Sequence, residues 1–433
     1  MYLFMFKTYL SRLVSSPTIR LVTAVTGGSL FATLIALVGS LVQSRFVGPE
    51  DLGYFRQFGI VTGYMFFIHL GVWHALQRQY PYYVGQGRQD RALAVAGVCQ
   101  AWTATISALT AGFFIIMAVA SMAGGNWRAM LAWLVQAVTI VGSVYGGFLG
   151  ATYRSSHDFR TAAKCEVVNA VAGLLTLPFF PAWPYPALAL RSGLSALVSS
   201  IYLHTHRPLR LPWRFSWREW FELVKTGLPL FMASYGATVG WSAVEASLII
   251  KGLGVSALGL WSVSVMMFET ANKAPQAVVA VYAPRLIEQL GRTGSYRSTL
   301  QLCRRPILWG ITGMVVLCIA CYAAVPFAVT WLIPKYTAAI PTMRLMLLYL
   351  PFLILEMPYS LLVGGGHWAK LNIASYVGLG CFVLLALLAL RLGWGLNGVV
   401  GASLLGKAGR MAVIYAFIGA HLRREGANGG AMD

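Results

Sequence analysis

The sequence predicts an all-α polytopic membrane protein of about twelve transmembrane helices in two six-helix lobes. Three observations predict it. Of the 433 residues, 58% are hydrophobic and 11% charged, whereas a soluble domain carries roughly 25% charged residues. Apolar runs long enough to span a hydrocarbon core, about 20 residues each, recur from residue 21 to 420. Two short stretches also repeat at one offset of 206. Phe46-Val47-Gly48-Pro49-Glu50-Asp51-Leu52-Gly53-Tyr54-Phe55-Arg56 is matched by Lys251-Gly252-Leu253-Gly254-Val255-Ser256-Ala257-Leu258-Gly259-Leu260-Trp261. Gly48 maps to Gly254, Leu52 to Leu258, Gly53 to Gly259 and Phe55 to Trp261. Each stretch ends one apolar run and starts another, at the same place in two halves of similar length, which reads as an internal repeat.

Lys7 and Arg12 lie in an amphipathic lead-in, and Ser16-Pro17 reads as a helix start. The run Leu21–Val42 is long enough to span and lacks an A-x-A-like cleavage end, so it reads as a span and not a cleaved signal. Further spans are expected at 54–78, 92–121, 129–150, 161–180 and 185–204, then at 224–250, 256–283, 306–327, 341–363, 371–391 and 395–420. Gly-Pro stops the first span, since proline lacks the N–H and clashes inside a helix. Glu50 and Asp51 then suit the positive end of the next helix, and Ser256 is positioned to cap the second copy. The expected organisation is a lobe over 1–204, a basic Trp-rich connector over 205–223, and a second lobe with a short tail over 224–433. An even number of helices per half returns the chain to its starting side, so the two repeats should be parallel, related by an axis along the membrane normal. Gly85-Gln86-Gly87-Arg88 and Leu290-Gly291-Arg292-Thr293-Gly294 occupy matching loops.

The net charge is +20. The connectors read as cytoplasmic carry 22 Lys and Arg, against six on the opposite side. That asymmetry puts both termini in the cytoplasm. In the 205–225 connector, Trp213, Trp217 and Trp220 among arginines favour an interfacial position beside anionic headgroups over nucleic acid, because the segment is short and pinned between spans.

Catalytic and metal signals are thin. No phosphate-binding G-x-x-x-x-G-K-[ST] is present, no paired carboxylates sit in a long external loop, and Ser155-Ser156-His157-Asp158 is contiguous where a triad is assembled in space. His204 and His206 lack a third ligand, and Cys318-x-x-Cys321 lies inside an apolar run and reads as two small core residues. No enzyme activity, cofactor or metal is expected. Gly142, Gly146 and Gly150, and Gly236 with Gly240, form G-x-x-x-G faces, read as packing within a monomer.

The informative residues are polar groups inside the spans, where an ionisable side chain is costly unless it faces a cavity or a partner. They include Arg56, His69, His74 and Arg78 in the second span, Glu166 and Asn169 in the fifth, Arg191 in the sixth and Glu245 in the seventh. Glu269 and Lys273 follow in the eighth, Glu356 in the tenth, and Lys407 and Arg410 in the twelfth. Glu269 and Lys273, four residues apart, either pair with each other or serve separately. Lys407 and Arg410 share a face and cannot neutralise each other, so they need water, an anionic ligand, or Glu245 and Glu356 as partners. Those two acids are equally candidates for binding a coupling proton or Na⁺. On a continuous second helix, Arg56 and His74 return to one angle and Arg78 lies about 40° round. Such a face would present arginine forks to a phosphate, unless the arginines snorkel to headgroups.

Ser44-Arg45-Phe46-Val47-Gly48-Pro49-Glu50-Asp51-Leu52-Gly53-Tyr54-Phe55, with Leu70-Gly71, Arg78-Gln79-Tyr80-Pro81 and Gly85-Gln86-Gly87, resembles the Wzx, or O-antigen translocase, type of polysaccharide flippase. This type belongs to the multidrug/oligosaccharidyl-lipid/polysaccharide (MATE-like) exporter superfamily. The sharp match covers about 45–90, Val47 stands where the family usually has Leu, and the C-terminal half matches loosely. The resemblance implies two lobes around a central cationic cavity that opens alternately to each side. It implies an undecaprenyl-diphosphate-linked oligosaccharide as cargo, flipped across the bacterial inner membrane for O-antigen, capsule or exopolysaccharide synthesis. Arg56, His74, Arg78, Arg191, Lys273, Lys407 and Arg410 are then the substrate-binding candidates, and Glu245 and Glu356 the ion-coupling candidates. Membrane lipids, a polysaccharide polymerase and chain-length machinery are the implied partners. The rivals are a drug or metabolite antiporter of the same fold, in which acidic cavity residues should dominate, and a peptidoglycan-precursor flippase, which often carries extra helices. A membrane enzyme of glycan assembly is disfavoured by the missing carboxylate pairs.

Overall fold

Proline and glycine punctuate this chain, and the helices begin and end where they fall. The computed structural model describes residues 17–429 apart from 157, 212 and 234–236. Side chains are described in that range except at 17–27, 29–30, 237, 274, 277, 280, 281, 283, 284 and 426–429. Lys7, Arg12, His157 and Gly236 therefore lie outside the described residues. The described residues form no strand. The first eight helices are α1 (Pro17–Phe46), α2 (Pro49–Met65), α3 (Val72–Gly85), α4 (Gln89–Ala123), α5 (Trp127–Ser155), α6 (Phe159–Leu174), α7 (Pro184–Thr205) and α8 (Trp217–Phe231). Next come α9 (Ala237–Leu253), α10 (Val255–Thr293), α11 (Tyr296–Leu332), α12 (Ile340–Leu347), α13 (Leu350–Ile354), α14 (Tyr359–Gly364), α15 (Trp368–Arg391) and α16 (Gly395–Gly429). Among the described residues, eight segments are helical and apolar enough to cross a membrane, and the bent pair α2–α3 makes nine. The other expected spans fall on α1, on α8 with α9, and on α10.

Contacts divide the chain into two compact units. The first is Met1–Phe46 with Ile68–Leu228; the second is Val47–Phe67 with Pro229–Asp433. Helix α2 thus packs with the second unit, although the sequence reading puts it in the first lobe.

In the first unit, α4 and α5 close on Phe114, Ile140, Val144 and Phe148, with the Phe114 ring stacked on Trp133 at 5.6 Å. The Gly142-Gly146-Gly150 spacing is only partly the close approach it suggests. A Cβ at Gly142 would meet Ser200 of α7, but Gly146 and Gly150 have open space. The tight position is Gly147, where a Cβ would overlap the Trp73 ring. Asp158 accepts the Thr161 N–H at 3.2 Å and caps α6, which gives the acid of the Ser-Ser-His-Asp run a structural job.

In the second unit the two copies of the repeat meet. A Cβ at Gly53 would overlap the Val255 carbonyl oxygen, and a Cβ at Gly259 would overlap the Pro49 carbonyl oxygen. The contact is reciprocal, each glycine lying on the residue that matches its partner's helix start. Only glycine allows two backbones this close. Gly48 caps α2 with Pro49 in its first turn, and Gly254, at φ +85°, caps α10. Ser256 makes no side-chain cap, a correction to the sequence reading: the positive φ of the α10 cap falls at glycine two residues earlier.

The span expected at 341–363 is broken twice, and proline is the reason. Pro351 and Pro358 cannot donate to the carbonyls of Leu347 and Ile354, and α12 and α13 end at those two residues. The Leu347 carbonyl instead accepts the Cys318 thiol at 3.3 Å, and the nearby Leu355 carbonyl accepts the Tyr415 hydroxyl at 2.9 Å. The six cysteines are free thiols. Large side chains such as Phe327 and Trp331 on α11 stay exposed, as suits a surface turned to lipid.

Candidate functional site

Glu245, on α9, is buried in the second unit and held by neutral donors. Its Oε1 accepts the Trp261 indole N–H at 3.0 Å, and its Oε2 accepts the Ser403 hydroxyl at 3.0 Å. The Ser403 oxygen in turn accepts the Trp241 indole N–H at 2.8 Å. Trp241 is fixed by stacking on Phe382, 5.1 Å between centroids, and reaches α16 because Gly406 has no side chain: a Cβ there would lie 3.0 Å from the indole. Both carboxylate oxygens are thus engaged without a cation.

Lys407 sits one turn beyond Ser403. Its ammonium lies 5.9 Å from the centroids of Phe268 and of Tyr349, a cation–π setting. Arg410 lies 5.6 Å from the Tyr359 ring. Both are half-buried, and neither reaches a carboxylate at ion-pair distance among the described residues. Unsatisfied polar atoms accompany them. Buried and without a hydrogen-bond partner among the described residues are Arg410 Nε, the Tyr349 hydroxyl, Ser375 Oγ and Asn372 Oδ1. Asn372, Ser375 and Gly378 fall on one face of α15, and a Cβ at Gly378 would lie 2.8 Å from the Arg410 Cβ. Buried polar groups are normally paired, so each such group asks for a water or a ligand. Glu356 is half-buried in the break between α13 and α14. Glu269 and Lys273 are both exposed on α10 and form no ion pair with each other.

The first unit treats its intramembrane arginine differently. Arg191 of α7 donates from Nη1 to the Gly39 carbonyl at 2.7 Å and to Gln43 Oε1 at 2.8 Å. Its Nη2 donates to Ser40 Oγ at 3.2 Å and to the Ala36 carbonyl at 3.3 Å. The fork clasps two turns of α1, from Ala36 to Gln43. A Cβ at Gly39 would lie 2.8 Å from Nη2, so that glycine makes the clasp possible.

The second span is where the sequence geometry fails. A single helical face through Arg56, His74 and Arg78 needs a continuous helix. Instead α2 and α3 are bent by 41° across a 3₁₀ turn at Phe66–His69, with Leu70 at φ +54° and Gly71 at φ +73°. Arg56 belongs to the second unit, and His74 and Arg78 to the first. His74 is buried and accepts the Trp73 indole N–H at 3.3 Å; Arg56 and Arg78 are exposed. His69 accepts the Gly71 N–H on Nδ1 at 2.8 Å and stacks on Trp73 at 4.1 Å, so it belongs to the scaffold of the bend.

Sequence reasoning found the charged residues and missed their holders. Trp241, Trp261 and Ser403 carry no signal in an apolar run. The one available clue is that Trp261 is the repeat equivalent of Phe55, the position where an aromatic gains an N–H.

Solved structures give a consistent likeness. An outward-facing multidrug resistance MATE family transporter of the MOP superfamily superposes with TM-score 0.62 at 14% identity, over 95% of this chain and 98% of that one. The fold is that of the MOP-superfamily transporters. The lipid II flippase MurJ in an inward closed conformation gives 0.63 at 11% identity, over 91% of this chain and 87% of that one. A MOP superfamily transporter from Pyrococcus furiosus, described by the reverse polarity of its binding pocket, gives 0.59 at 15% identity, over 95% and 98%. No family model matches the chain, and no curated protein matches it.

Proposed function

We propose that the chain is a flippase for an undecaprenyl-diphosphate-linked oligosaccharide, serving surface polysaccharide synthesis at the bacterial inner membrane. The observation that carries the reading is the pair Lys407 and Arg410: half-buried cations inside an apolar helix, framed by Phe268, Tyr349 and Tyr359, with no carboxylate at ion-pair distance among the described residues. A diphosphate matches them in charge, and the arginine fork matches a phosphate in shape. The unsatisfied Tyr349, Ser375 and Asn372 atoms suit the hydroxyl groups of sugars. A multidrug substrate, usually cationic, would meet repulsion there. Arg56 and Arg78, exposed midway along α2 and α3, are read as phosphate contacts at loading and release, and Lys273 as a further contact on α10.

The test is reconstitution in proteoliposomes with a lipid-linked oligosaccharide and a leaflet-accessibility readout. Cargo should cross in a chain-dependent way, and crossing should fall in the Lys407→Gln, Arg410→Gln double variant at equal protein. Equal crossing in empty vesicles and in vesicles with the chain would remove the reading.

A further inference from the structure

The first unit carries a basic cluster of its own. Where the start of α4 meets the connector and α8, a hollow of about 360 Å³ is lined by Arg88, Asp90, Arg91, Ala94, Arg214 and Glu219. Glu219 is only 8% exposed, and Arg91 holds its Oε1 at 3.2 Å. Its Oε2 is buried and has no hydrogen-bond partner among the described residues. Three guanidinium groups face two carboxylates, so the hollow keeps one positive charge and one unsatisfied acceptor. An aromatic rim adjoins it. Trp213 is 70% exposed and Trp217 69%, with Phe215 and Phe221 also outward, while Trp220 packs inward on Trp102 at 4.9 Å. Exposed tryptophans beside arginines belong at the level of lipid headgroups.

We propose that this hollow binds the headgroup of a membrane phospholipid in which a phosphodiester and a hydrogen-bond donor occur together. The phosphate meets Arg88 and Arg214, whose forks suit its oxygens. The donor, an ammonium or a hydroxyl, meets Glu219 Oε2. The aromatic rim lies along the acyl chains. The phosphate answers the guanidinium groups and one donor satisfies the one orphaned oxygen; a hydroxyl donor also leaves the hollow with no excess charge, whereas an ammonium keeps it at one positive charge.

The full chain, purified in detergent, is exposed in turn to phosphatidylethanolamine, phosphatidylglycerol and phosphatidylcholine of identical acyl chains, and retained lipid is counted by native mass spectrometry. Phosphatidylcholine carries the same phosphate but no N–H or O–H donor. It should be retained about tenfold less, the loss of one charge-assisted hydrogen bond. Selective retention of phosphatidylethanolamine identifies the donor as ammonium, and of phosphatidylglycerol as hydroxyl. Arg88→Gln with Arg214→Gln, both exposed positions, should abolish the preferred binding, whereas Trp217→Ala should weaken all three lipids without changing their order. Glu219→Leu should erase the discrimination against phosphatidylcholine. Equal retention of the three lipids by the unaltered chain, or unchanged retention in the arginine double variant, would overturn the proposal.

Discussion

Arg191 and Lys407 are both cations inside apolar helices, and their surroundings are opposite. Arg191 directs four hydrogen bonds at two turns of α1, to two backbone carbonyls and two side chains. It ties two helices together and is already satisfied. Lys407 lies near two aromatic rings, one turn from a serine that bonds Glu245, and has no carboxylate at ion-pair distance among the described residues. The comparison teaches that intramembrane charge does not by itself mark a binding site. The better candidate is a charge with no carboxylate at ion-pair distance, as at Lys407 among the described residues. Arg191 was a substrate-binding candidate by sequence, and its geometry makes it first a helix clasp.

The largest effect should come from breaking the clasp. Arg191→Ala should lower stability by about 2–3 kcal/mol, the net worth of hydrogen bonds to a charged group, read as an earlier unfolding midpoint in detergent. Transport per folded molecule should persist. Next is Glu245→Ala, which leaves the Trp261 N–H and the Ser403 hydroxyl without acceptors at a cost of about 1–3 kcal/mol. Glu245→Gln should cost less, and a loss of ion dependence in that variant, at normal stability, would make Glu245 a coupling residue as well as an anchor. Lys407→Gln and Arg410→Gln should cost less stability than Arg191→Ala or Glu245→Ala, since neither cation has a carboxylate at ion-pair distance among the described residues, yet transport should fall sharply. A large stability loss with intact transport in these two would invert the comparison. Smallest is Arg78→Gln, exposed and expected within about 0.5 kcal/mol on stability, with any transport defect partly rescued by Lys.

Much of this was legible beforehand. Length, apolar runs and the 206-residue repeat led to twelve spans and to Gly53 and Gly259, which the structure brings together at backbone contact. Proline positions carried the breaks too: Pro351 and Pro358 were readable as interruptions, though apolar continuity through 341–363 hid them. The bend at Leu70–Gly71 was not legible. Leu at positive φ is strained, and nothing local announces it; the bend is seated by Trp73 on Gly147 and by Gly71 against Gly227, contacts far apart in sequence. For the same reason a helical wheel through Arg56 and Arg78 misled. The charged residues of the site were visible as charges, but the difference between Arg191 and Lys407 lies in α1 carbonyls and aromatic rings, which one sequence cannot pair with them.

The most direct test is a paired flipping assay in one vesicle preparation. The same oligosaccharide is presented on undecaprenyl diphosphate and on an uncharged polyprenyl glycoside, with the unaltered chain, Arg191→Lys, and the Lys407→Gln, Arg410→Gln double variant. The account predicts rapid crossing of the diphosphate cargo alone, retained in Arg191→Lys and lost in the double variant. Equal crossing of charged and uncharged cargo, or full activity in the double variant, would contradict it.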